Sequence, residues 1–135
     1  MQMADIPLLG MLRERMSWLN ARQDTLAQNV ANADSPGYLA RDLKPMNFED
    51  MMKRVNGDQG SGLTTTNAMH INIGASRPDT YTGVDSPDTE ASVSGNTVSL
   101  EAEMIKVSDT QAQFQAATNL YGKAISMMRT AIGNP

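Results

Sequence analysis

The sequence predicts a mainly α-helical protein in which a long N-terminal helix and a long C-terminal helix pair as an antiparallel coiled-coil hairpin. Two heptad patterns of apolar residues, one near each end of the chain, predict the helices. Most residues of the stretch between them are Gly, Ser, Thr, Asn, Asp or Pro, a composition that buries too little apolar surface to form a core. We therefore expect a polar, partly disordered or extended middle segment.

The first helix is predicted over residues 5–34. Its apolar residues recur in alternating steps of three and four, and Gln23 takes the one polar position in the pattern. Asp5 followed by Pro7 is typical of a helix start, whereas Pro36 and Gly37 are typical of a helix stop. The stripe ends at Ala33, and its principal members are Leu9, Leu12, Met16, Leu19, Leu26 and Val30.

The middle of the chain divides into two segments. Residues 35–55 contain the helix-stop motif and a short amphipathic segment, in which Phe48, Met51, Met52 and Val55 stand at helical spacing. Residues 56–97 are interpreted as a flexible or extended linker. A short helix at Phe48 would dock against the two long helices.

The second helix is predicted over residues 98–133. Ser99 is a suitable N-cap, Glu101 and Glu103 complement the positive end of the helix dipole, and Arg129 and Gly133 suit the last turn and the stop. Its heptad stripe contains Leu100, Met104, Val107, Phe114, Tyr121, Ile125, Met128 and Ile132. The two stripes together form the predicted assembly seam.

A further apolar stripe lies next to the seam of the second helix. The combined face is too wide for one partner helix, so we expect this helix to pack on several neighbours and the chain to order fully only on assembly. The members of this stripe are Ala117, Leu120, Ala124, Met127 and Ala131.

The heptads also suggest a register for the hairpin. With Leu9 opposite Ile132, the polar residues Gln23 and Thr118 of the two seams face each other. Buried polar pairs can fix the register of a coiled coil. We therefore expect this pairing.

No residues form a catalytic or metal site in the sequence pattern. His70 is the single histidine and there is no Cys, which excludes thiol chemistry and any His dyad or multi-His metal site within one chain. The acidic residues Asp79, Asp85, Asp88 and Glu90 lack the spacing of a calcium loop and are interpreted as solvated linker charge. Glu101 and Glu103 stand two apart on a helix and point in different directions, so they do not share a proton-transfer role. The protein is predicted not to be an enzyme and to use no cofactor.

Charge and hydropathy limit the possible partners. The net charge is −4 and the basic residues are scattered, which does not fit nucleic-acid binding. No stretch is apolar enough to cross a bilayer, and the N-terminus lacks the pattern of a cleavable signal. On composition alone we expect a cytoplasmic chain without a small-molecule substrate.

The end of the first helix carries a specific motif. The chain reads Ala31-Asn32-Ala33-Asp34-Ser35-Pro36-Gly37-Tyr38, preceded by Asn29 and followed by Arg41-Asp42-Leu43. This stretch resembles the N-terminal signature of flagellar rod and hook proteins, with Ser35 where Thr is common in the family. The stretches 68–71, 95–104 and 126–132 are similar to the proximal rod subunits of the FlgB type. The family motif residues are Asn29, Ala31, Asn32, Ser35, Pro36, Gly37 and Tyr38.

The resemblance implies a structural subunit of the proximal basal-body rod. Its terminal helices would assemble into a helical tube that transmits torque and forms part of the export channel. Implied partners are further copies of the chain, other flagellar rod proteins, the membrane (MS) ring or a rod-base adaptor, and the export apparatus. The resemblance also implies type III export without a cleaved signal and a periplasmic location, in place of the cytoplasmic one. A rod subunit of the FlgC type and a soluble helical adaptor or chaperone are the alternatives.

Overall fold

The computed structural model consists mainly of two long helices that pack against each other, which confirms the predicted fold class. The structure describes residues 7–47, 49, 51–52, 81–87 and 92–133. The elements in chain order are α1 (Pro7–Ala31), β1 (Arg41–Leu43), β2 (Gly83–Asp85) and α2 (Leu100–Ala131). Several predictions fall on residues outside the described part of the chain. They concern Asp5, Phe48, Val55, His70, Asp79, Asp88 and Glu90, and the linker outside 81–87 and 92–97.

The predicted N-cap of the second helix and the glycines of both predicted helix stops lie at the expected residues. Ser99 is the N-cap of α2 and its side chain accepts a hydrogen bond from the Ala102 amide at 3.5 Å. Gly37 follows the turn after α1 with φ +71°, and Gly133 follows α2 with φ +79°. Only glycine adopts this left-handed conformation at no steric cost, so both residues stop the chain from continuing as a helix.

The two helices run antiparallel. Arg15 near the start of α1 donates from Nη2 to Gln113 Oε1 at 2.7 Å, and Asn29 near its end donates from Nδ2 to Glu103 Oε2 at 3.0 Å. Later residues of α1 thus meet earlier residues of α2. The end of α1 and the start of α2 meet at one end of the hairpin.

The expected register of the hairpin is wrong. Thr118 lies against Met16 rather than Gln23, with 3.6 Å between its hydroxyl oxygen and the Met16 sulfur, while the hydroxyl donates to the Phe114 carbonyl of its own helix at 2.9 Å. Met16 precedes Gln23 by seven residues (23 − 16 = 7), so the pairing of Leu9 with Ile132 is displaced by one heptad. A heptad stripe matches its partner equally well after a shift of seven residues, and the period alone cannot choose between the two registers.

A two-stranded antiparallel ribbon lies beside the helices. Strand β1 follows the helix stop, and it pairs with β2 in the register Arg41 to Asp85, Asp42 to Val84 and Leu43 to Gly83. Strand β1 lies in the segment predicted as the helix stop and short amphipathic segment, and β2 lies in the stretch predicted as a flexible or extended linker. Strand β2 has three residues, and all of them are exposed to solvent. A stretch this short, with no buried residue, gives no alternation of apolar and polar positions from which a strand could be predicted.

The buried core forms where the ribbon meets the helix pair. Trp18 and Leu19 of α1 pack with Leu43 of β1 and Ala117 of α2. Half-buried apolar side chains surround this cluster: Met16, Ala21, Met46, Tyr81 and Phe114. Strand β1 is therefore fixed to the helices by Leu43. Among the described residues, no helix is long and apolar enough to cross a membrane, and no group of acidic or histidine side chains is arranged to hold a metal ion.

Candidate assembly surface

Asn29 is the best-connected residue of the family motif. Its side chain is fully buried, and its Oδ1 accepts hydrogen bonds from the Arg41 amide at 3.0 Å and from the Tyr38 hydroxyl at 3.3 Å. Its Nδ2 donates to the Arg41 carbonyl at 2.6 Å and to Glu103 at 3.0 Å. One amide thus joins the end of α1, the start of β1 and the first turn of α2.

The remaining motif residues form the turn itself. The Ser35 amide donates to the Asn32 carbonyl at 3.0 Å, and the Ser35 hydroxyl donates to Asn32 Oδ1 at 3.1 Å. The hydroxyl at position 35 therefore closes the turn. Asn32, Ser35 and Tyr38 are half-buried, whereas Ala31, Pro36 and Gly37 are exposed.

A second buried asparagine, Asn96, binds the chain at the C-terminal end of α1 from the segment that precedes α2. Asn96 Nδ2 lies 2.9, 2.8 and 2.7 Å from the carbonyl oxygens of Asn32, Ala33 and Ser35. These carbonyls follow the last helical turn, where no amide of the helix itself can reach them. The Asn96 Oδ1 accepts a hydrogen bond from the Val98 amide at 2.8 Å. Asn96 thereby ties the helix stop to the segment that leads into α2.

Backbone contacts reinforce this junction. The Gly37 amide donates to the Ser94 carbonyl, and the Thr97 amide donates to the Tyr38 carbonyl, each at 3.0 Å. The Thr97 hydroxyl accepts from the Ala40 amide at 2.9 Å. We call the residues 29–42 and 94–103 together the helix-stop junction.

Glu103 contributes more than a favourable charge near the helix dipole. Its side chain is fully buried, Oε2 accepts from Asn29, and Oε1 pairs with Lys106 Nζ at 2.7 Å. The sequence pattern predicts Glu103 in the first turn of the helix, where the structure has it, but does not predict this burial. A buried carboxylate is tolerated only with partners that satisfy its oxygens, and both oxygens have one here.

Trp18 anchors a group of charged side chains beside the junction. The Arg15 and Arg22 guanidinium groups lie over its ring at 4.7 and 5.5 Å, and its Nε1 donates to the Lys44 carbonyl at 3.1 Å. Arg22 binds Asp42 in a bidentate geometry, with distances of 2.8 Å from Nε to Oδ1 and 2.7 Å from Nη2 to Oδ2. This pair is a second link between α1 and β1.

The two arginines have opposite electrostatic surroundings. The hydrogen bonds to Asp42 raise the pKa of Arg22 above its ordinary value, although burial acts against them. Burial, and then the charge of Arg22, lower the pKa of Arg15, while Asp109 acts in the opposite direction. Arg22 is therefore the more firmly held cation of the pair.

The seam residues of α1 lie on its inner side. Leu9, Leu19 and Leu26 are buried, and Leu12, Met16 and Val30 are half-buried. Trp18 and Asn29, outside the predicted stripe, are buried as well. The large ring of Trp18 and the amide of Asn29 widen the contact face beyond the heptad positions.

The helix α2 packs on α1 through small and polar residues. Its buried residues recur every seven positions, at Glu103, Thr110, Ala117 and Ala124. Of the predicted seam, Val107, Phe114, Tyr121, Ile125 and Met128 are half-buried, whereas Leu100, Met104 and Ile132 are more than half exposed. The role of these residues in an assembly seam stays a prediction.

A large part of the apolar surface of α2 remains uncovered by the described part of the chain. Leu120 and Met127 are more than half exposed, although Ala117 and Ala124 of the same stripe are buried against α1. Ile105 is exposed to 71%. We call Ile105, Leu120 and Met127 the outer face of α2.

Sequence reasoning missed four residues of the junction. Asn96, Thr97 and Glu103 are buried polar residues with partners far away in the sequence, and Asp42 binds Arg22. The sequence carries one signal for Asn96, since it follows Gly95 in a turn-forming stretch directly before a helix cap. Nothing in the spacing indicates that the Glu103 carboxylate turns towards α1.

Comparison with known proteins places the junction in a family context. A family model described as "Flagella basal body rod protein" matches residues 11–38, which contain most of α1 and the helix stop. The chain is similar to the flagellar basal body rod protein FlgB of Aeromonas hydrophila, with 30% identity over 125 residues that cover 91% of this chain and 90% of the relative. It is also similar to FlgB of Escherichia coli (strain K12), with 34% identity over 126 residues and 86% of each chain covered. For FlgB of Agrobacterium fabrum the identity is 29% over 128 residues, covering 93% of this chain and 92% of the relative.

Proposed function

Because the chain belongs to the FlgB family of flagellar basal body rod proteins, we propose that it enters the proximal rod through its two terminal helices. It is a structural subunit of the flagellar basal-body rod. In the proposal, copies of the helix pair assemble into a helical tube that transmits torque and encloses part of the export channel. The alternatives of a FlgC-type subunit and of a soluble adaptor are not favoured by these relatives.

The outer face of α2 is the observation that carries this proposal. α2 has 32 residues and α1 has 25, and the apolar side chains of α2 point to more than one side. Leu120 and Met127 stand one heptad apart, so they lie on the same side of the helix. Exposed apolar residues on one side of a helix are typical of a surface that another protein covers.

Membership of the family also indicates the partners and the location of the chain. The chain associates with other components of the flagellar rod and basal body, and its location is the basal-body rod. Further copies of the chain, the MS ring or a rod-base adaptor and the export apparatus are the specific partners that we propose. We also propose a periplasmic position, export without a cleaved signal and a role without catalysis.

The test introduces charge into the outer face. Leu120→Glu together with Met127→Glu is expected to abolish swimming of a deletion strain and to remove the chain from purified basal bodies, measured by mass spectrometry. The charged side chains cannot be buried against a neighbour without partners. The control is Gln115→Glu, which adds a carboxylate at an exposed polar position of the same helix.

The control is expected to be incorporated normally. Each chain is also measured in the exported fraction, because a variant that never leaves the cell gives no information on incorporation. Normal swimming and incorporation of the doubly charged variant would contradict the assignment of this face.

A further inference from the structure

The two heptad stripes leave the register of the hairpin undetermined, yet the structure has one register. A shift of seven residues keeps the same apolar stripes in contact, and it moves α2 along α1 by about 10.5 Å at ~1.5 Å per residue. Some other feature must therefore distinguish the two arrangements. Every residue of the contact changes its partner in such a shift, but the apolar residues meet other apolar residues, whereas the buried polar residues lose specific hydrogen bonds.

We propose that the buried hydrogen bond between Asn29 and Glu103 selects the register of the helix pair. Both side chains are fully buried, and they join the last turn of α1 to the first turn of α2. A shift of one heptad sets Asn29 against Thr110 instead (103 + 7 = 110). The Thr110 hydroxyl already donates to the Lys106 carbonyl of its own helix at 2.7 Å.

The shifted arrangement leaves Glu103 without its partner on α1. Only Lys106, three residues later on the same helix, moves with it. With Asn29 opposite Thr110, Glu103 falls opposite position 36, beyond the end of α1, and loses both its bond to Asn29 and the helix that covers it (29 + 110 − 103 = 36). The Asn29 amide is left without its carboxylate acceptor, which destabilises this register, whereas an apolar pair would be indifferent to the register. The pair thus acts against the wrong register more than it strengthens the right one.

The register matters because it fixes where the helix-stop junction lies relative to the outer face of α2. The Asn29 to Glu103 bond joins the two segments of the junction, 29–42 and 94–103, and Leu120 and Met127 lie farther along α2. A wrong register displaces residues 29–42 of the junction relative to the outer face of α2 by about two helical turns and separates them from residues 94–103. A subunit of that shape would not match the spacing of its neighbours.

The absence of Cys from the sequence allows each register to be trapped with introduced thiols. Met16→Cys with Thr118→Cys reports the observed register, and Gln23→Cys with Thr118→Cys reports the shifted one. A short bismaleimide joins whichever pair is adjacent. The full chain is treated with an osmolyte until its helical circular dichroism signal is complete, so that both traps are read on paired helices.

With Asn29 and Glu103 present, the observed-register trap is expected to close at least about tenfold more than the shifted one, in line with the loss of a buried hydrogen bond to a charged group. In the background Asn29→Leu with Glu103→Leu, the shifted trap is expected to close to a similar extent as the observed one. Glu103→Gln is expected to keep the observed register, because an amide oxygen still accepts from Asn29.

A matched control removes a polar pair that does not join the helices. Gln115 and Asn119 are both exposed on α2 and hydrogen-bonded to each other at 3.3 Å. Gln115→Leu with Asn119→Leu is expected to leave the trapping ratio unchanged. Exclusive closure of the observed-register trap when Asn29→Leu and Glu103→Leu are combined, or a shifted register with Glu103→Gln, would overturn the proposal. Cross-linking reports the register directly, so these outcomes are independent of whether the chain enters the rod.

Discussion

The side-chain amide of Asn29 pairs with the backbone of Arg41 as a neighbouring strand would. Nδ2 donates to the Arg41 carbonyl at 2.6 Å and Oδ1 accepts from the Arg41 amide at 3.0 Å. Strand β1 bonds to β2 on one edge, and on its other edge the Arg41 peptide groups are satisfied by this one residue of α1. The helix stop and the ribbon are therefore one unit.

Asn29→Asp is the sharpest test of this unit. The substitution removes both Nδ2 bonds and places a carboxylate oxygen where the amide lies 3.0 Å from Glu103 Oε2. Two buried carboxylates at this distance repel each other, so we expect the folded state to lose about 3–5 kcal/mol. The measurement is the midpoint shift of an osmolyte-induced folding titration of the full chain, followed by circular dichroism.

Part of this loss is expected to return when the pH is lowered from neutral, because one carboxyl of the pair can then take up a proton and donate a hydrogen bond. The control is Asn20→Asp, on the exposed side of α1. It changes the same atoms without a buried neighbour, and its midpoint is expected to stay close to that of the unchanged chain. Equal midpoints for Asn29→Asp and Asn20→Asp would contradict the junction.

Asn96→Asp is expected to destabilise the chain more than Asn96→Ala. The amide Nδ2 faces three carbonyl oxygens at 2.7 to 2.9 Å. Alanine removes this donor from all three carbonyls, although the Ser35 amide still donates to the Asn32 carbonyl and the Tyr38 amide to the Ser35 carbonyl. The expected loss is about 1–3 kcal/mol, and aspartate also sets a negative oxygen against the three carbonyls. The osmolyte titration gives the order of the three midpoints. A variant with aspartate that is as stable as the one with alanine would show that the carbonyls do not depend on this donor.

The sequence was sufficient for the long helices because periodicity and caps agree at each end. Ser99, Gly37 and Gly133 act locally, within a few residues of their own position, so a local pattern can reveal them. The register and the junction depend on contacts across 74 residues, such as Asn29 to Glu103, and no local pattern encodes them. Glu103 shows the limit most clearly, since a glutamate in a first helical turn fits an exposed dipole partner equally well.

The glycines of the chain give a pair of predictions with opposite signs. Gly95 has φ +78°, and an added Cβ would stand 3.6 Å from the Gly37 Cα, which is an ordinary contact distance. The cost of Gly95→Ala therefore arises from the left-handed backbone and is expected to be about 1–2 kcal/mol. Gly122 lies within α2 with open space at its Cβ position, so Gly122→Ala is expected to stabilise the chain by about 0.5–1 kcal/mol.

Both variants replace glycine with alanine, so they serve as controls for each other in the same titration. If Gly95→Ala shifted the midpoint in the same direction as Gly122→Ala, the turn at residues 92–95 would not hold its described conformation in solution. The comparison therefore tests the turn separately from the asparagine contacts.

The last prediction concerns the two ion pairs of β1, which differ in burial. Arg22 and Asp42 have side chains that are 17% and 19% exposed and share two short contacts, whereas Arg41 and Asp85 are 62% and 58% exposed and share one contact of 3.3 Å. Arg22→Lys keeps the charge but cannot form the planar bidentate contact, and the expected loss is about 1–2 kcal/mol. Arg41→Lys is the matched control, and its expected effect is below about 0.5 kcal/mol, because a solvated pair contributes little. The osmolyte titration is repeated at high salt, which screens an exposed pair more than a partly buried one. A salt-sensitive loss at Arg22, or equal losses at the two arginines, would mean that Arg22 and Asp42 do not fix β1 to α1.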